Sequence, residues 1–168
     1  MKYKASLDTL AKGMTIGVFI LLIAIGQISV RELTTAEGDT TTILVQSGIL
    51  LLFVAILLGS WLYAPQSYTV DNNNLTINRP IGKVSFKLSD IKQVRLLAKS
   101  ETKGTIRTFG VGGLFGYFGK FYMQGIGHSA FYATQRKNKI LITTSNDKKI
   151  VITPDNINLV EKLKNQQE

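Results

Sequence analysis

Residues 43–64 read ILVQSGILLLFVAILLGSWLYA, twenty-two positions without a charge. As a helix rising ~1.5 Å per residue the stretch is roughly 33 Å long, against a hydrocarbon core of ~30 Å. An earlier stretch, residues 14–30 (MTIGVFILLIAIGQISV), runs seventeen positions without a charge. It makes only roughly 26 Å. Lys12 before it and Arg31 after it have aliphatic stems long enough to carry their charges to an interface. A chain of 168 residues has too little remaining mass to cover two such helices in a soluble core. The sequence therefore predicts a transmembrane hairpin, with spans at 14–30 and 43–64, as an integral anchor in a lipid bilayer.

The composition removes much else. The hydrophobic fraction is 45%, the charged fraction 18% and the mean hydropathy +0.13, which excludes a disordered chain. With no cysteine and a single histidine, His128, a disulfide framework, a zinc ribbon, an iron–sulfur site and a thiol nucleophile are all ruled out, as is a multi-histidine metal site within one chain. No cofactor and no metal are expected.

Charge counts orient the hairpin. Residues 1–13 carry three lysines and one aspartate, net +2, and residues 31–42 carry Arg31 against Glu32, Glu37 and Asp39, net −2. Residues 65–168 carry sixteen Lys and Arg against seven acids, net +9. The positive-inside rule places both termini in the cytoplasm and 31–42 outside the cell membrane. Trp61 and Tyr63 fall at the cytoplasmic end of the second span, where amphipathic rings favour the headgroup layer, and Pro65 stops the helix. The basic start and the triplet Ala24, Ile25, Gly26 also suit a cleavable signal peptide. Apolar character continues through Ile28 and Val30 and a second span follows, so the segment is read as a retained anchor. Gln27, Gln46 and Ser47 are suited to helix–helix hydrogen bonds, and no intramembrane charge marks an ion pathway.

Past Pro65 the period changes. Short β-like runs at 67–70, 75–78, 83–88, 91–97, 139–144 and 149–153 are separated by turn residues, including Asp71-Asn72-Asn73-Asn74, Arg79-Pro80-Ile81-Gly82 and Ser145-Asn146-Asp147-Lys148. Without strand–helix alternation a parallel α/β sheet is disfavoured. Thr153, Pro154 and Asp155 read as the start of a terminal helix, with Ile157, Leu159, Val160 and Leu163 as its apolar stripe. About seven antiparallel strands and one helix predict a small barrel with one mouth plugged by the helix.

Residues 109–119 read FGVGGLFGYFG, five glycines and four aromatics in eleven positions. The G-x-G-x-x-G spacing fails because Phe115 stands where the third glycine is needed, and Gly119-Lys120 is followed by Phe121 rather than by the Ser or Thr of a phosphate-binding loop. A nucleotide-dependent regulator or enzyme using 110–119 is thus the weaker alternative to a structural element. His128 and Ser129 lack a nucleophile-elbow pattern. With two apolar stretches before it, and with Tyr132-Ala133-Thr134, the strand 140–143 and the stretch 150–155 after it, the glycine run resembles membrane-anchored bacterial pleckstrin-homology (PH-like) proteins. That resemblance implies a PH-like split barrel with a C-terminal helix, here at 65–168, and little about activity.

The expected function is a non-catalytic binding or scaffolding module that engages a protein partner or the anionic membrane surface; an accessory subunit of a larger membrane complex is an alternative. The candidate surface comprises Lys103, Arg107, Phe115, Tyr117, Phe118, Lys120, Arg136 and Lys137. Aromatic tips suit the interfacial layer and clustered cations suit anionic lipid. The competing readings are that the aromatics are core and that the cations are only a topology signal. No recognition helix or RNA-binding motif appears, so nucleic acid is not an expected partner.

Overall fold

The computed structural model describes residues 1–35 and 39–165. Glu37 of the expected external loop and Glu168 lie outside the described residues. Two long helices come first, α1 (Thr9–Thr35) and α2 (Thr40–Tyr63). Both outrun the apolar stretches that announced them. Asp8 receives the amide of Ala11 at 2.7 Å and starts α1 five residues early, while Thr34 and Thr35 carry its last turn by donating to the Arg31 carbonyl. Asp39 caps α2 through the amides of Thr41 and Thr42. As expected before proline, Ala64 turns extended (ψ 132°) and α2 ends.

The helices are long and apolar enough to cross a membrane, and little of them is covered: 11% of the most apolar window of α1 is buried and 0% of that of α2. A core helix of a soluble protein would be the reverse.

A β-rich domain follows, built from two sheets. The first has the order β1 (Lys2–Lys4), β2 (Ser67–Val70), β3 (Asn74–Asn78), β4 (Lys83–Lys87). After a 3-10 turn at Leu88–Asp90, the second sheet is formed by β5 (Ile91–Leu96), β6 (Ile106–Gly113), β7 (Gly116–Met123), β8 (Gly127–Ala133), β9 (Ile140–Thr144) and β10 (Lys149–Ile152). Its order is β5-β9-β10-β8-β7-β6. A short helix, α3 (Leu159–Lys164), ends the described chain.

The main core lies between the sheets. Tyr68, Val70, Leu75 and Ile77 from the first face Ile140, Ile142, Ile150 and Ile152 from the second, and Leu159 and Leu163 of α3 are fully buried among them. Each such burial contributes about 1.5–3 kcal/mol. A second cluster, including Phe121, Met123, Phe131, Leu141 and Val151, occupies the opposite face of the larger sheet.

Residues 1–13 include a strand that the sequence did not announce: β1 pairs with β2, Lys2 opposite Thr69 and Lys4 opposite Ser67. Three residues carry no strand period, so only the tertiary pairing creates this strand. Ten strands form among the described residues, not seven, and β8 and β10 are parallel. Residues 134–139 must therefore cross over β10 to reach β9. Thr153 does not cap a helix. It is fully buried, and its hydroxyl accepts the amides of Thr134 (2.9 Å) and Gln135 (3.3 Å), pinning that crossover. Helix α3 instead begins at Leu159, which leaves Ile157 46% exposed outside its stripe.

Candidate functional site

The glycine–aromatic run is the hairpin β6–β7, closed by Leu114 and Phe115, with Phe115 in the left-handed region (φ 55°). Gly110 and Gly119 stand directly opposite each other. Their φ values are 108° and 122°, and a Cβ on either would collide with the partner strand's backbone. Gly112 is different: its φ is ordinary, and a Cβ there would meet only the Arg107 side chain, at 3.2 Å.

The hairpin tip rests on α1. The Phe115 amide donates to Thr15 Oγ1 at 3.0 Å, and the Phe115 ring meets Phe19 edge-on at 6.1 Å. Phe19 lies inside the apolar stretch of α1, so the tip reaches the level at which that helix becomes membrane-compatible. At the base of α1, Asp8 accepts from the Arg136 amide (3.0 Å), from Arg136 Nε (3.2 Å) and from the Tyr117 hydroxyl (3.2 Å). Burial pushes the Asp8 carboxyl up, but the amides of Ala11 and Arg136, the guanidinium and the phenol outweigh it and hold it below its ordinary value. Burial and the Asp8 charge push Tyr117 up to about 12, so it remains a donor.

Strand alternation sorts the remaining side chains. The cross-strand rows Phe109–Lys120–Ala130 and Val111–Phe118–Tyr132 share one face. Through Ala130 and Tyr132 that face continues into Ile150 and Ile152 of the main core. The core includes no residue of β6 or β7, so here the face is left for other neighbours. These are the last turns of α2 and the turn after β3. The amide of Ile81 bonds the Leu62 carbonyl at 3.1 Å, which draws the turn beneath α2. The Arg79 guanidinium lies 5.4 Å from the centre of the Tyr63 ring. A groove of about 590 Å³ remains between Gly59, Ser60 and Tyr63 of α2, Arg79, and the β6–β8 face.

The surface expected from sequence is divided between several places. Phe118 is buried at 8%, Phe115 is half-buried against α1, and Tyr117 faces away from the groove toward Asp8. Lys120 is exposed at the groove, and Lys103 lies in the turn before β6. Arg107 flanks Gly112. Arg136 and Lys137 join Lys99 and Lys139 around a separate, smaller groove of about 260 Å³. Burial, and then the Arg136 charge, hold Lys139 below its ordinary value. Trp61 and Tyr63 are 44% and 53% exposed at the end of α2. Three contributors were not anticipated: Asp8, Thr15 and Arg79. Asp8 had a signal, a helix-capping residue just before an apolar run; a threonine within an apolar stretch and an arginine in a turn carry none.

Catalytic geometry is not assembled around His128. Its ring packs on Tyr122 at 5.3 Å, while Ser129 Oγ donates to the Gly127 carbonyl at 3.4 Å. Among the described residues, no hydrogen bond joins His128 to Ser129 or Asp147, and no three His, Cys, Asp or Glu converge as for a metal ion.

Searches of curated proteins and of solved structures return no match. Residues 66–167 match the family model described as a bacterial PH domain, which covers more than half of the chain, and the two sheets with a terminal helix are the architecture such a domain requires. The chain belongs to the bacterial PH domain family.

Proposed function

We propose that this protein is a membrane-anchored, non-catalytic binding module whose PH domain lies against the headgroup layer of the membrane that its own two helices cross. The observation that carries this reading is the docking of Phe115 on Thr15 and Phe19. It holds the domain against the membrane-compatible part of α1 rather than on a flexible stalk. Lys137 and Lys99, which line a groove with the Arg136 that holds Asp8, then face the layer where anionic lipid attracts each cation by about 1 kcal/mol. Cytoplasmic placement of the domain follows from the charge asymmetry of the segments flanking the helices.

The test uses the full chain in nanodiscs, one set of phosphatidylcholine and one enriched in phosphatidylglycerol, followed by amide hydrogen exchange. Slower exchange at 114–115 and 136–139 in the anionic discs is expected. Equal exchange in both would overturn the reading. A second reading has its own support: β6 is an edge strand with Ile106 62% and Phe109 74% exposed, a surface open to strand addition by a protein partner. Copurification of a partner that is lost on changing Ile106 to Lys would favour it.

A further inference from the structure

The groove between α2 and the β6–β8 face has a chemistry that a generic membrane contact does not require. One wall is apolar. Phe109 is 74% exposed there, and Val111 and Tyr132 extend the same face. The backbone at Gly110 and Gly119 completes this wall. The polar part is cationic. Arg79 is half-buried, and its Nε is buried without a hydrogen-bond partner. Lys120 stands opposite, on β7. The ion pairs among the described residues are Arg95–Glu101 and Arg136–Asp8, so neither Arg79 nor Lys120 is neutralised by a carboxylate.

An unpaired, partly desolvated guanidinium is costly unless an anion completes it. The groove also opens onto an apolar track. On α2, Gly59, Ile56 and Leu52 precede Tyr63 by four, seven and eleven positions and therefore share its helical face. Ile56 and Leu52 are 48% and 55% exposed. A cationic pocket at the polar end of a membrane-compatible helix, continuous with an apolar track along that helix, matches an amphiphile that has an anionic head and a long chain.

We propose that this groove binds one anionic phospholipid, its phosphate between Arg79 and Lys120 and an acyl chain along Ile56 and Leu52. The proposal rests on the reading that the helices cross the membrane, and it names a single bound molecule where that reading requires only a surface. Tyr63, holding the guanidinium by its ring face, positions the arginine for the phosphate.

The full chain is to be reconstituted in nanodiscs of equal phosphatidylglycerol and phosphatidylcholine, released in the gas phase, and its retained lipids weighed by native mass spectrometry. One phosphatidylglycerol per chain is expected. Arg79→Gln and Lys120→Gln should each reduce its retention about fivefold, the scale of one charge beside an anionic headgroup. Ala130→Phe, which fills the groove beside Lys120 with both charges intact, should reduce it as well. Lys120 is exposed, so its variant reports binding even if Arg79→Gln folds poorly. Equal retention of phosphatidylcholine, or unchanged retention in Lys120→Gln and Ala130→Phe, would overturn the proposal. So would displacement of the lipid by millimolar glycerol phosphate, which would make the groove a site for a soluble phosphate. If retention fails while exchange at 114–115 and 136–139 still depends on anionic lipid, the groove assignment falls and the surface reading stands.

Discussion

Gly110 and Gly119 face one another across β6 and β7 at φ values reserved for glycine, with backbone where a side chain would go. Gly110→Ala or Gly119→Ala should therefore lower the stability of the full chain by about 2–4 kcal/mol. Gly112→Ala should stay within about 0.5 kcal/mol, because a flexible arginine is its only obstacle. Thermal midpoints in one detergent separate the two outcomes, and equal effects at all three positions would refute the account. Asp8 makes a pH-dependent contribution. A carboxylate whose pKa is depressed by folding stabilises above its unfolded value, about 4, and loses that contribution as pH falls through the lower folded value. Asp8→Asn keeps the shape but weakens four acceptor contacts, and should cost about 1–2 kcal/mol near neutrality. Its midpoint should then fall less steeply than that of the native chain on acidification below about pH 4. Parallel pH profiles would show that Asp8 is not the linked group.

Among the elements, β1 and the β6–β7 hairpin bind the helical pair to the domain from two sides. Strand β1 covers the edge of β2, and the N-terminal ammonium donates to the Val70 carbonyl at 2.6 Å. Deleting residues 1–4 should expose that edge, lower the midpoint and speed amide exchange in β2. Residues 66–168 expressed alone lack both β1 and the Asp8 contacts, so they should be less stable than the same residues within the full chain. Phe115→Ser removes the ring packed on Phe19 and should cost about 1–2 kcal/mol, since the ring is only half-buried. An unchanged midpoint would mean that the tip contributes nothing to holding α1.

For the whole molecule, pairing of β1 with β2 keeps the start of the chain and the PH domain on the same side of the helical hairpin. If α1 and α2 cross the membrane, Thr40 at the start of α2 then lies on the far side. The chain has no cysteine, so Thr40→Cys introduces a unique thiol. In intact cells it should react with an impermeant maleimide, and a reporter fused after the C-terminus should be active in the cytoplasm. A C-terminal reporter active outside would invert the orientation.

The two apolar helices, the helix stop before Pro65 and six of the strands were legible because each depends on local information: an uncharged apolar run close to or beyond the thickness of a hydrocarbon core, a proline that disfavours αR geometry before it, or a period of two bounded by turn residues. Resemblance through the glycine run supplied the domain family, although what the glycines do was legible only in part. That a backbone demand exists there follows from composition; that Gly110 and Gly119 carry it more strictly than Gly112 depends on strand register, which only the paired partner sets. The same holds for β1, for the parallel placement of β8 beside β10, and for Thr153, whose hydroxyl serves a crossover nineteen residues away in sequence rather than the helix that follows it. The candidate groove lay furthest from view. Arg79, Tyr63 and Lys120 are distant in sequence and share no motif, and they converge because the Ile81–Leu62 hydrogen bond and the uncovered overhang of β6 and β7 bring a turn, a helix end and a sheet face to one place. Local patterning determined which elements form; long-range hydrogen bonds and burial decided which of their side chains meet.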